Sequence, residues 1–235
     1  MASNDNLFAV VLPAGGLGLR MGGQIPKQLL PLKGKPVYRH SLDTFLSLKE
    51  ISEVVLAVPQ DWKEHFENEI LNAAISTEWK NKLKIVVGGK ERWQSVRHGV
   101  EAITSNAKYV LVHDVARPFI SKELLTQIFE TLVSKGSCIV AKECADTVKV
   151  VTNGKIEKTL DRNSIWLAQT PQCASVELLK NLYQKIDKAP LDFLPTDEAS
   201  ILEYFGEQIF IVKGNSLNDK LTTPEDFERF SNLKF

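Results

Sequence analysis

The sequence predicts an α/β protein with a mostly parallel sheet, helices on both faces and a β-hairpin set apart from the main alternation. Three observations predict it. Short apolar runs rich in β-branched residues recur along the chain, and stretches with apolar residues at helical spacing separate them. One segment breaks the pattern, with two alternating runs about an Asn-Gly pair.

The runs LFAVVL at 7–12, EVVLAV at 53–58, KIVVGG at 84–89, YVLVHD at 109–114 and CIVA at 138–141 have the length and composition of buried strands. Helices are expected at 37–48, 60–72, 91–104 and 121–134, as the spacing of Val96, Val100 and Ile103 illustrates. At 146–161 the runs flank Asn153-Gly154, the pair that supplies two left-handed residues to a tight hairpin turn. Lys149, Lys155, Glu157 and Lys158 can solvate one face of this hairpin, whereas the other must pack on its own domain or on a second subunit. Thr196 is expected to cap a helix whose first turn holds Asp197 and Glu198, and Thr223 a second one that starts with Pro224, Glu225 and Asp226. With no repeat, low-complexity tract or linker, one domain over 1–235 is expected, with the hairpin arm at about 144–165.

At 235 residues and 43% hydrophobic content the chain can bury a sizeable core, which excludes disorder. Lys plus Arg equals Asp plus Glu at 29 each, so no global field draws it to nucleic acid or an anionic membrane, and any anion must be held locally. Three cysteines without a CxxC argue for a reducing cytoplasm rather than a disulfide framework or zinc knuckle. The start MASNDN lacks an apolar core for a leader, and no run approaches the length of a membrane span.

The chemistry is concentrated after the first strand, in PAGGLGLRMGGQIPKQ at 13–28, where five glycines accompany Arg20 and Lys27. Glycine lets backbone N–H groups approach phosphate oxygens closely. Two common phosphate motifs fail here: Gly23 is followed by Gln24 rather than the Walker lysine, and Met21 stands where the dinucleotide fingerprint needs its third glycine. What remains is G-x-G-x-R with Pro26-Lys27-Gln28, a planar guanidinium fork and a movable ammonium suited to a triphosphate whose charge shifts during reaction.

That pattern resembles the cytidylyltransferases acting on 2-C-methyl-D-erythritol 4-phosphate, within the sugar-phosphate nucleotidyltransferases. The likeness continues in order through Gly88-Gly89 with Arg92, Ser95 and Val96, then Val112-His113-Asp114 with Ala116-Arg117-Pro118, Asp146-Thr147 and Asp161-Arg162-Asn163. It ends with Gln169-Thr170-Pro171-Gln172, Thr196 to Ser200, and Lys220 with Thr222, Pro224, Glu225 and Asp226. The resemblance implies a Rossmann-like domain whose protruding β-arm is exchanged in a homodimer. It also implies transfer of CMP from CTP to methylerythritol phosphate, with Mg²⁺ and release of pyrophosphate, in the non-mevalonate route to isoprenoid precursors.

By position, Ala14, Gly15, Gly16, Gly89 and Ser95 would bind CTP, and Arg20 and Lys27 would stabilise the transition state. Asp114, Arg117, Arg162, Thr170, Thr196 and Lys220 would hold the sugar phosphate, with Arg162 and Thr196 reaching across the dimer. Asp114 can take the metal or a substrate hydroxyl, or cap the following turn. Four residues depart from the family pattern: Gly15 for alanine, Leu19 for arginine, Lys90 for an acid and Asp219 for an apolar residue. Lys90 would bring a cation to the base pocket, and Asp219 would weaken the field of Lys220. The attacking phosphate oxygen is already ionised, its second pKa being about 6, so no general base is needed and His113 is not expected to act as one. CDP transfer to ribitol 5-phosphate or another polyol phosphate, and a non-catalytic CTP-binding module, are the alternatives.

Overall fold

The structure, a computed structural model, describes residues 7–15, 25–73 and 76–234. Strand β1 (Phe8–Pro13) is followed by the short strands β2 (Pro31–Leu32) and β3 (Lys35–Pro36), α1 (Val37–Leu46), β4 (Ile51–Val58), α2 (Lys63–Asn72), α3 (Thr77–Lys82), β5 (Leu83–Val87) and α4 (Arg92–Glu101). Then come β6 (Tyr109–Val112), α5 (Lys122–Lys135), β7 (Cys138–Glu143), β8 (Lys149–Thr152), β9 (Lys155–Thr159), β10 (Trp166–Ser175), α6 (Val176–Lys188), α7 (Glu198–Tyr204), β11 (Phe210–Lys213) and α8 (Pro224–Ser231).

Seven strands form one sheet in the order β11-β7-β10-β6-β1-β4-β5. All neighbours are parallel except β10, which runs antiparallel to both β6 and β7. Strand alternation divides the core between the two faces. Phe8, Val10 and Leu12 pack with residues of α1, α2 and α5, while Ala9 and Val11 pack with α4, α6 and α7. The five expected strands are present, and helices occupy the four expected windows.

Strands β2, β3, β10 and β11 and helices α3 and α6 were not anticipated. In β10 the segment WLAQTPQCAS shows no apolar alternation and contains Pro171, which argues against an interior strand. It sits there because its register is irregular between Ala168 and Gln172, and its polar residues are buried with partners in the site rather than exposed to water.

The hairpin forms as expected from β8 and β9, with Asn153 at φ 50° and Gly154 at φ 78°. Every residue of β9 is exposed, and Val151 and Ile156 remain 53% and 65% accessible. Two apolar side chains of the arm are therefore open to solvent in the protomer, while Val148 and Val150 are half-buried. Thr223 caps α8 in a reciprocal box with Asp226, with Pro224 at the first helical position. The other cap is shifted by one residue: Asp197, not Thr196, accepts from the N–H of Ser200, and Glu198 becomes the first, buried residue of α7. No helix among the described residues is long and apolar enough to cross a membrane.

Candidate active site

The chain runs outward from β1 to β4 and β5, then returns to place β6 on the other side of β1. Such a switch opens a crevice at the carboxyl ends of the strands. Ala14 and Gly15 follow β1, Gly88 and Gly89 follow β5, and His113 and Asp114 follow β6, so the expected residues meet along one edge.

The glycine pair is tightened by Ser95 at the start of α4. Its Oγ accepts the N–H of Gly89 at 3.0 Å, and a Cβ on Gly88 would lie 2.7 Å from that oxygen. A Cβ on Gly89 would fall 2.3 Å from Gln94. Side chains are therefore excluded at this turn, which leaves its backbone open to a ligand. At Gly15 a Cβ would meet Ser95 Oγ at an ordinary 3.5 Å, so the family's alanine would fit and the glycine costs little contact. Lys90, next to the pair, is exposed.

Lys27 begins a short 3₁₀ turn, Lys27–Leu29, and its Nζ donates to the Leu221 carbonyl at 2.8 Å. Gln28 is buried and donates to the Ala14 carbonyl. The Pro26-Lys27-Gln28 turn is thus fastened to β1 on one side and to the Lys220 segment on the other. Gly16 and Arg20 lie outside the described residues.

Asp114 is the centre of the charged group. One carboxylate oxygen accepts Arg92 Nε at 3.0 Å, and the other accepts Lys220 Nζ at 2.8 Å. Burial opposes its ionisation, but the Arg92 and Lys220 cations outweigh that and hold it well below the usual carboxylate range. Arg92 continues into a bidentate pair with buried Glu198 at 2.8 and 3.1 Å. Burial pushes the Glu198 carboxyl upward, against the pull of that guanidinium.

The backbone of Asp114 is set by a second relay. Its N–H donates to Thr170 Oγ1 at 3.1 Å, and that hydroxyl lies 3.1 Å from His113 Nδ1. His113 Nε2 is 3.0 Å from the Arg117 carbonyl, which can only accept, so the proton sits on Nε2 and Nδ1 accepts from Thr170. Burial lowers His113 to about 4, leaving a neutral ring that orients its neighbour. Arg117 is buried and spans two walls, its amino groups donating to the carbonyls of Asn218 at 2.8 Å and Ala168 at 3.5 Å. Its Nε has no protein partner among the described residues.

The structure does not gather every expected residue. Arg162, in the 3₁₀ turn Arg162–Ser164 at the base of the arm, is exposed and donates to the Ala145 carbonyl. Thr196 is exposed immediately before the α7 cap. Neither makes a hydrogen bond to the Asp114 group among the described residues. Sequence reasoning gave no role to Arg92 or Glu198, although both stand inside matched motifs. The missing signal was pairing, because a glutamate at a helix start reads as a solvated first-turn acid until its partner is seen.

Asp114 does not suit a resident divalent cation, since both of its oxygens already take cationic donors. No cluster of three or more His, Cys, Asp or Glu side chains able to hold a metal occurs among the described residues.

Glycine-lined backbone, cationic side chains and an ionised carboxylate at the carboxyl ends of a doubly covered, mostly parallel sheet define a nucleotidyltransferase-type α/β protein. The family model for 2-C-methyl-D-erythritol 4-phosphate cytidylyltransferase matches residues 8–232, and the chain belongs to that family. It is 38% identical to the chloroplastic 2-C-methyl-D-erythritol 4-phosphate cytidylyltransferase of Oryza sativa subsp. japonica, over 99% of this chain and 77% of that protein. It is also 38% identical to the enzyme of that name from Bacillus pumilus, over 93% of each chain. The crystal structure of the Francisella tularensis enzyme superimposes with a TM-score of 0.79 at 32% identity, covering 94% of this chain and 97% of that one.

Proposed function

We propose that the chain transfers the cytidylyl group of CTP to the phosphate of 2-C-methyl-D-erythritol 4-phosphate, releasing pyrophosphate, a step of the non-mevalonate route to isoprenoid precursors. The observation that carries this reading is the Asp114–Lys220 pair at the end of β6, tied through one short segment to Lys27, in a chain that matches the family over nearly its whole length.

A phosphate oxygen of the sugar phosphate attacks the α-phosphorus of CTP. The new O–P bond forms as the bond to the β-phosphate oxygen breaks, and that oxygen leaves with its electron pair on pyrophosphate. The attacking phosphate is ionised near neutral pH, so no side chain takes a proton. Neutral His113 fits this, being committed to Thr170 and the Arg117 carbonyl. The protein supplies charge and alignment. Lys27 and Arg20 are assigned to the growing charge of the triphosphate, and Lys220 and Arg162 to the attacking phosphate. Asp114 holds Lys220 and offers its carboxylate to a substrate hydroxyl. Thr170 acts through Asp114, and Arg117 braces the wall through the Asn218 and Ala168 carbonyls.

Magnesium enters this reading as part of the substrate, carried on the phosphate oxygens of CTP, a setting that Mg²⁺ favours over carboxylate cages. The base and phosphates of CTP are assigned to the Ala14–Gly15–Gly16 loop, Gly89 and Ser95. Two copies of the chain are proposed to pair through the arm, which brings Arg162 and Thr196 to the partner's site. The exposure of Val151 and Ile156 supports that pairing. Action in the cytoplasm is supported by the three free cysteines.

The test is pyrophosphate release from Mg²⁺ and CTP with methylerythritol 4-phosphate and ribitol 5-phosphate side by side. Release with the first alone is expected. Release only with the second moves the chain to polyol phosphates, and release with neither leaves a nucleotide-binding module.

A further inference from the structure

Asp219 stands directly before Lys220, where the family resemblance leads one to expect an apolar residue. Sequence reasoning makes it a neighbour that weakens the lysine's field. The structure turns it elsewhere. Its Oδ1 accepts Lys142 Nζ at 2.6 Å and Gln169 Nε2 at 3.1 Å, and its Oδ2 accepts Arg229 Nη1 at 3.3 Å. These partners come from three elements, β7, β10 and α8. Two cations answer one carboxylate, so its charge is spent before it reaches Lys220.

The backbone at Asp219 is extended, with φ −68° and ψ 154°. These angles are those of a polyproline II turn, in which successive side chains point in directions about 120° apart. With Asp219 held toward Lys142, Lys220 leaves in a different direction, and its Nζ meets Asp114 at 2.8 Å. The adjoining carbonyls of Asn218 and Leu221 receive Arg117 and Lys27, so the same short segment bears on three cations at once.

We propose that Asp219, clamped by Lys142, Gln169 and Arg229, is a positioning residue that fixes the direction of Lys220 toward Asp114 and the sugar phosphate. The inference rests on the assignment of Lys220 to that phosphate. It converts an apparent weakening of the site into a support for it.

The kinetic test uses Asp219→Ala, Lys142→Ala and the double variant in the full-length protein. Asp219→Ala is expected to raise KM for methylerythritol 4-phosphate about tenfold while KM for CTP stays within about twofold. The double variant is expected to be no worse than Asp219→Ala alone, the non-additivity of two groups that act as one. Equal shifts in both KM values, or multiplying effects in the double variant, would overturn the proposal. A second readout needs no turnover. The lysine ammonium signal of Lys220 in ¹⁵N NMR, assigned with Lys220→Ala, is expected in the unsubstituted protein and lost to rapid exchange in Asp219→Ala. A signal indifferent to Asp219 contradicts the clamp. If the unsubstituted chain fails to turn over methylerythritol phosphate while the signal still depends on Asp219, the functional reading falls and the positioning stands.

Discussion

The Asp114 centre and the β8–β9 arm both carry several charged residues, yet they are finished in opposite ways. Around Asp114 the charged groups are buried or partly buried and answered within the chain: Arg92 bridges Asp114 and Glu198, and Lys220 closes the other oxygen. In the arm, Lys155 and Lys158 lie in water and the apolar Val151 and Ile156, paired across the hairpin, stay mostly exposed. A buried charge without a partner is expensive, so the centre had to be completed inside one chain. Exposed apolar residues on a two-stranded hairpin are tolerated but unfinished, which fits the proposed pairing of two copies through the arm.

The sharpest way to break this comparison is to remove a partner from the centre. Arg92→Met leaves Glu198 and Asp114 without their shared cation and is expected to cost about 3–5 kcal/mol of stability in denaturant unfolding. A loss under about 1 kcal/mol would mean the centre is as loosely specified as the arm.

Acid provides the next test. His113 is held neutral in the fold, its pKa lowered by burial to about 4 from 6.5, so below pH 6.5 the unfolded chain gains a proton that the folded chain refuses. Stability is fully present above about pH 6.5 and falls as pH drops toward 4, by about 3 kcal/mol from this residue. His113→Gln should reduce the slope across that window, leaving the share of His40, which burial also lowers, and an opposing share from Glu198, whose carboxyl burial raises. Asp114 has the opposite requirement. Its lowered pKa stabilises the fold above the ordinary carboxylate range and is lost only in stronger acid, so it adds no slope between pH 5 and 8.

Lys27→Ala should leave the fold intact and lower kcat by at least about a hundredfold, as deletion of a preorganised electrostatic group does. Near-normal turnover would remove Lys27 from the chemistry. In the arm, Ile156→Glu should abolish self-association in sedimentation while changing protomer stability by no more than about 0.5 kcal/mol. A protomer that melts much earlier would show the arm to be part of its own core. The exposed Lys213–Glu143 pair, at 2.9 Å beside the arm, marks the lower end of the scale. Lys213→Ala should change stability by less than about 0.5 kcal/mol in the same unfolding assay.

What could be read from the sequence follows the same division. The parallel strands announced themselves because both faces are buried, as in FAVVLP, and the hairpin because Asn153-Gly154 has one dominant use. Strand β10 stayed hidden because Gln169, Thr170 and Gln172 are buried for the bonds they make: Gln172 joins Asp197 to the start of α7, and Thr170 joins Asp114 to His113. The glycine-rich loop pointed to Lys27, and the family resemblance to Ser95, Asp114 and Lys220. It could not show that Arg92 and Glu198 are partners across 106 positions, or that Asp219 turns away from the lysine beside it. Long-range pairing is written in the fold rather than in local pattern.

The most direct test of the account asks whether a site built on one chain is completed by the arm of another. Lys27→Ala and Arg162→Ala proteins, each inactive alone, are unfolded together, refolded and assayed for pyrophosphate release. A mixed dimer with exchanged arms contains one site with both intact residues, so the mixture should recover about a quarter of the unsubstituted activity. No recovery, with mixed dimers shown to be present, would contradict it and place Arg162 in the site of its own chain.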